Sequence, residues 1–195
     1  RSKVTLSHDN NHHVCGQLLG SDGATRPGLD QTGPQTGVRI VLCNEEYRRV
    51  ITVEAAPAAV NADALNRWHV VDMMSGWPWI GESQQGHWTP HMLSLQALHA
   101  FSVKKGCYPG QEIVARTHFL GKNKRKLYFI QGLDLTEGMP ILSAGTEIGK
   151  VVNAEFSKTA GLAVLPAEHL PADLHNGAGS IRVENPEIFW SVIMS

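Results

Sequence analysis

A chain of 195 residues is long enough to bury a core as one large domain or as two small ones. Its 42% hydrophobic and 18% charged residues exclude a disordered class, and a net charge of -1 excludes nucleic-acid binding by the surface as a whole. No apolar run approaches the about 20 residues of a membrane-spanning helix and nothing at the start reads as a signal peptide, so a cytoplasmic setting is the expectation. Cys15, Cys43 and Cys107 are odd in number and form no CxxC pair, which speaks against a disulfide framework or a zinc ribbon and leaves at least one thiol free.

In chain order, Val4 and Leu6 open a first strand and Val14 to Leu19 a second, separated by the polar loop HDNNHH. His8, Asp9, His12 and His13 there lack a spacing that would converge them on a metal. After a turn-rich stretch from Gly20 to Gly37, the runs VRIVLC (38–43) and YRRVITV (47–53) flank Asn44-Glu45-Glu46 and predict a hairpin. The alanine-rich stretch Glu54 to Trp68 predicts a helix, with Pro57 in its first turn and Val60, Ala64, Leu65 and Trp68 on one face. His69 to Met73 alternates as a short strand. Gly76, Pro78, Gly81 and Gly86 then punctuate a passage without period, where Trp77, Trp79 and Trp88 are expected in the core. Thr89-Pro90 opens a short predicted helix through Leu98. From Lys126 the strands LYFIQG, TEIGKVVNA, GLAVLP and GSIRVEN, spaced by Gly and Pro turns, predict a small β-barrel or sandwich. The fold class is α+β.

The segment KKGCYPGQEIVARTHFLG (104–121) concentrates the chemistry. Pro109-Gly110 precedes a predicted helix in which Ile113, Val114 and Leu120 supply an apolar stripe and Gly121 the stop. Cys107 then sits just before a helix N-terminus, where the dipole together with Lys104 and Lys105 favours thiolate. Taken from composition alone, a small buried cysteine beside a tight turn is an equal reading. Glu112 in the first turn complements the dipole, a structural role before an acid–base one. The cluster Lys122, Lys124, Arg125 and Lys126 suits a solvated strand entrance better than a phosphate groove, since no aromatic platform adjoins it.

The string from Lys104 to Arg125 closely resembles the signature K-G-C-Y-x-G-Q-E of the YgfZ family of folate-binding proteins, relatives of the glycine-cleavage T-protein. RSKVTL resembles that family's entry into its middle domain, and Trp68 lies 39 residues before Cys107, as does a tryptophan of the family's folate channel. PHMLSLQALHAFSVKKGC resembles the family's P-Q-x-x-N-L-x-A-L-G-x-I-S-F-K-K-G-C, with His91 for Gln, Ser94 for Asn and His99 for Gly.

The resemblance implies a T-protein-like multi-domain fold with ferredoxin-like α+β portions. Residues 1–67 would form the middle domain, 68–124 the return half of the first, folate-binding domain, and 125–195 a C-terminal small β-barrel. It also implies that the stretch the family carries before RSKVTL lies outside this chain, and with it part of the folate pocket. In function it implies a folate-binding accessory protein supporting iron–sulfur cluster assembly or repair, and thereby tRNA modification. Tetrahydrofolate or a derivative would stack on Trp68, Cys107 would face the same channel as the reactive group, and Lys105, Tyr108, Gln111 and Glu112 would shape the loop. Iron–sulfur enzymes or assembly factors are the implied partners, and charge gives direct tRNA contact no support. Two other readings stand beside it: a tetrahydrofolate-dependent aminomethyltransferase, whose K-x-D-F-x-G this chain replaces with Lys105-Gly106-Cys107-Tyr108-Pro109-Gly110, and a non-catalytic docking scaffold.

Overall fold

In the computed structural model the described residues are 11–20, 28–30, 39–43, 47–57, 59–103, 111–121 and 123–186. They divide into two compact units, one of residues up to Arg67 and one from Trp68 onward. The first unit contains an antiparallel sheet of β1 (His13–Gly20), β2 (Gly28–Asp30), β3 (Arg39–Cys43) and β4 (Tyr47–Glu54) in the order β1-β4-β3-β2. β3 and β4 form the expected hairpin, in a register from Arg39 opposite Thr52 to Cys43 opposite Arg48. The short β2, inside the stretch read as turns, pairs with β3 over three residues, too few for an alternating pattern to show. The strand expected at Val4 and Leu6 lies outside the described residues.

The helix after β4 begins later and ends later than its composition predicts. β4 runs to Glu54, and α1 spans Ala62–Met74. Asn61 sets the start: its Oδ1 accepts the Ala64 N–H at 3.0 Å, satisfying one of the donors that a helix leaves open at its first turn. The residues His69–Met73, read as a strand, are the last turns of α1, where Val71, Asp72 and Met73 are all buried. Gly76, at φ 72, ends the helix: the Gly76 N–H bonds the Met73 carbonyl and the Trp77 N–H reaches back to that of Asp72, both at 2.9 Å. This is the paired closure that a glycine at the first non-helical position permits.

The same closure recurs twice where a helix through Leu98 was expected. Ser94 N–H bonds the His91 carbonyl and Leu95 N–H that of Pro90, both at 3.0 Å; His99 N–H bonds the Gln96 carbonyl and Ala100 N–H that of Leu95, both at 3.1 Å. Ser94 and His99 both stand at φ 53, so the segment is two single turns, each stopped by a left-handed residue. These are the two positions where the resembled pattern carries Asn and Gly, the residues that adopt this conformation most readily.

After α2 (Gln111–Leu120), β5 (Arg125–Gln131), β6 (Pro140–Ser143), β7 (Thr146–Ala154), β8 (Ala160–Pro166) and β9 (Arg182–Glu184) form an antiparallel sheet in the order β6-β7-β8-β5-β9. The sheet curls into a half-barrel. Isolated bridges from Leu142 to His175 and from His175 to Ser180 span the gap from β6 to the residues before β9. Both faces are buried, which is why LYFI and GLAVL read as unbroken apolar runs. Tyr128, Ile130, Val151, Ala163 and Leu165 fill the inner core with Ile141, Leu174 and Ile181. Leu127, Phe129, Val152, Leu162 and Val164 face the other way and pack with Met73 of α1 and Leu93.

Candidate functional site

The residues singled out around the thiol divide between described and undescribed chain. Cys107, Lys105 and Tyr108 lie outside the described residues. Trp68 is half-buried on α1, and Gln111 and Glu112 open α2. Gln111 is buried and its Nε2 donates to the Ser102 carbonyl at 3.4 Å, tying the start of α2 to the chain just before the thiol loop. Glu112 is exposed on the same turn, where a carboxylate complements the helix dipole. α2 ends at the expected glycine: a Cβ on Gly121 would lie 2.8 Å from the Thr117 carbonyl oxygen. Its apolar residues Ile113, Phe119 and Leu120 are exposed, so the stripe read from the sequence is not packed in the core.

His91 is the buried group that this site adds. It stands behind the resembled pattern's Gln, is 7% exposed, and neither of its ring nitrogens has a hydrogen-bond partner. Its ring centroid lies 5.1 Å from that of Phe101 and 6.3 Å from that of His118 on α2. Burial first, and the charge of His118 second, hold the His91 imidazole below its ordinary pKa, so the neutral ring is favoured. Its carbonyl accepts from Asn123 Nδ2 at 2.9 Å. His91 therefore links the two-turn segment to α2 and to the entrance of β5.

The basic cluster leans on the half-barrel. Arg125 Nη1 donates to the Ile148 carbonyl at 2.7 Å, while Lys126 Nζ donates to Asn185 Oδ1 at 2.9 Å and lies 4.7 Å above the Tyr128 ring. Lys124 is exposed, and Lys122 is outside the described residues.

In the tryptophan passage Trp88 meets the core expectation, Trp77 is half-buried, and Trp79 departs from it. Trp88 packs on the outer core, and its Nε1 donates to Gln84 Oε1 at 2.8 Å. Trp79 is 53% exposed, held by Nε1 donating to Asp72 Oδ2 at 3.1 Å. It walls a cavity of about 490 Å³ with His69, Ile80, Glu137, Asn153 and Phe156 among its lining. Neither Trp68, Gln111 nor Glu112 lines this cavity. Its residues come from three separate stretches of chain, so no local spacing could have revealed it. Within it Glu155 accepts from the Ser157 and Thr159 hydroxyls and N–H groups at 2.6–2.9 Å. Burial alone would raise its pKa; those hydrogen bonds outweigh burial and bring it down to about 2.

No family model matches the chain. Among curated proteins it is similar to several named tRNA-modifying protein YgfZ. That of Colwellia psychrerythraea is 40% identical over 46% of this chain and 30% of its own length. That of Serratia proteamaculans is 36% identical over 52% and 33%. That of Shigella sonnei is 32% identical over 67% and 46%. The chain thus spans about a third to a half of the length of these relatives. At 31–40% identity over about half to two-thirds of this chain, these proteins named tRNA-modifying protein YgfZ are its homologues.

Proposed function

We propose that this chain is part of a folate-binding accessory protein that supports iron–sulfur cluster assembly or repair and, through cluster-dependent enzymes, tRNA modification. The observation that carries the reading is its homology to proteins named tRNA-modifying protein YgfZ, joined to the signature string around Cys107. The proposed domain plan is T-protein-like, with residues 68–124 contributing one wall of a folate channel and 125–195 a small barrel.

The described residues fit a folate by the chemistry they offer. Trp68, half-buried, has an indole suited to stacking on a pterin, and Glu112, exposed at the start of α2, brings a carboxylate that can hold its polar edge, while the buried Gln111 positions that start. A bound tetrahydrofolate would supply one-carbon or reducing chemistry. The chain's own part is to bind and orient it and to present the Cys107 thiol. A thiol at the position of a carboxylate argues for this reading over aminomethyl transfer.

Folate titration followed by tryptophan fluorescence, with in vivo complementation, tests the proposal. Trp68→Ala should abolish the fluorescence response, and Cys107→Ala should leave binding but lose complementation. If Cys107→Ala complements fully, the thiol has no chemical role; if folate does not bind, the reading falls. Formation of methylenetetrahydrofolate from an aminomethylated carrier would favour the aminomethyltransferase.

A further inference from the structure

We propose that Gln111 and His91 are positioning residues for the Cys107 thiol, acting as two ties across the base of the segment 103–110 that carries it. The inference deepens the thiol-based reading above and rests on it.

Chain length alone does not bring the ends of that segment together. The eight residues between Ser102 and Gln111 can span about 25 Å when extended. The structure instead joins the two ends directly, Gln111 Nε2 donating to the Ser102 carbonyl at 3.4 Å. Of the described residues of α2, Gln111 is the buried one, at 6% exposure. Ile113, Phe119 and Leu120 are exposed, so among the described residues a polar anchor, not an apolar stripe, holds the start of this helix. Burial shields the amide from competing water and strengthens its bond relative to the same bond on a surface. The partner is a carbonyl, so the tie requires a donor: an ionised carboxylate of the same shape offers acceptors only, and a thioether has no donor.

The second tie is made of rings. The buried His91 ring lies 5.1 Å from that of Phe101 and 6.3 Å from that of His118. Phe101 comes just before the segment and His118 lies in α2 just after it, so one imidazole bridges the chain on both sides. His91 is held from behind as well, its carbonyl accepting from Asn123 Nδ2 at 2.9 Å. The hydrogen bond and the ring contacts use different side chains and support the assignment independently.

Alkylation by iodoacetamide, followed for each cysteine peptide by mass spectrometry as a function of pH, tests the assignment on the whole chain. Gln111→Glu and Gln111→Met should each move the Cys107 rate–pH profile towards that of the urea-unfolded chain. The rate at neutral pH should change by about 2- to 10-fold, the range of one hydrogen bond. Phe101→Leu, which keeps apolar bulk but removes the ring, should move the profile in the same direction. Cys15 and Cys43 are internal controls and should keep their rates. Hydrogen exchange over residues 113–120 separates positioning from folding, since α2 should keep its protection in every variant. Loss of that protection in step with the Cys107 change, an unmoved profile in both Gln111 variants, or a wild-type profile equal to that of the unfolded chain would overturn the assignment. An unmoved profile in Phe101→Leu would overturn the part given to His91. Complementation keeps the test distinct from the reading beneath it. If Cys107→Ala complements fully, the thiol reading fails; if it does not complement while Gln111→Met complements fully, the positioning assignment alone fails.

Discussion

Replacing His99 by glycine should stabilise the chain, although it deletes a side chain. His99 stands at φ 53, where its Cβ crowds the following carbonyl, a cost of about 1–2 kcal/mol for an L-residue. Its side chain is exposed, so little packing is lost. Glycine would remove the crowding but returns about 0.4–1 kcal/mol of freedom to the unfolded chain. The net gain is about 0.5–1 kcal/mol, a rise of about 1–4 °C in melting temperature for a chain of this size. Ser94 is the control. It has the same φ of 53, but its Oγ accepts the Leu127 N–H of β5 at 3.1 Å. Ser94→Gly would leave that buried donor without its partner, at about 1–3 kcal/mol, and should destabilise. Thermal and urea unfolding followed by tryptophan fluorescence measure both variants. The reasoning is refuted if His99→Gly lowers stability, or if both glycines shift it in the same direction by the same amount.

Three further outcomes can be checked. His91 is held neutral, so its folded pKa lies below the ordinary 6.5; below that pH folding must remove the proton that the unfolded ring carries, and stability should fall as pH drops below about 6.5. His91→Gln should remove that part of the pH dependence in urea titrations, whatever it does at neutral pH. Glu155 has the opposite sign: its depressed pKa contributes about 3 kcal/mol above pH 4.5, lost as pH falls towards 2, so Glu155→Gln should flatten acid unfolding in that lower window. Gly149→Ala should destabilise by about 2 kcal/mol or more, since its Cβ would meet the Val164 carbonyl and the Leu165 side chain, both fixed in β8; unchanged urea unfolding would contradict that packing.

The β-strands were legible wherever composition alone carried them. β7 covers the run TEIGKVVNA residue for residue, and β5 and β8 sit within a residue or two of theirs, because a strand buried on both faces is written as consecutive apolar residues. β6, opening on Pro140, was missed, because four residues give no period to read. α1 was displaced because propensity was followed through Ala55–Ala59, while the signals that set its ends, Asn61 and Gly76, are single residues.

What the sequence by itself determined is the α+β class, the glycine-stopped α2 and, through the cysteine segment, the kinship with YgfZ proteins. These are encoded in contiguous residues, where periodicity or a motif can be read directly. Only the tertiary structure decided that residues 89–99 are two closed turns, that His91 is buried without partners, and that His69, Trp79, Glu137 and Phe156 share one cavity. The first depends on left-handed residues that here are Ser and His rather than the telltale Asn and Gly. The others depend on contacts between residues as far apart as 69 and 156, which no local pattern specifies.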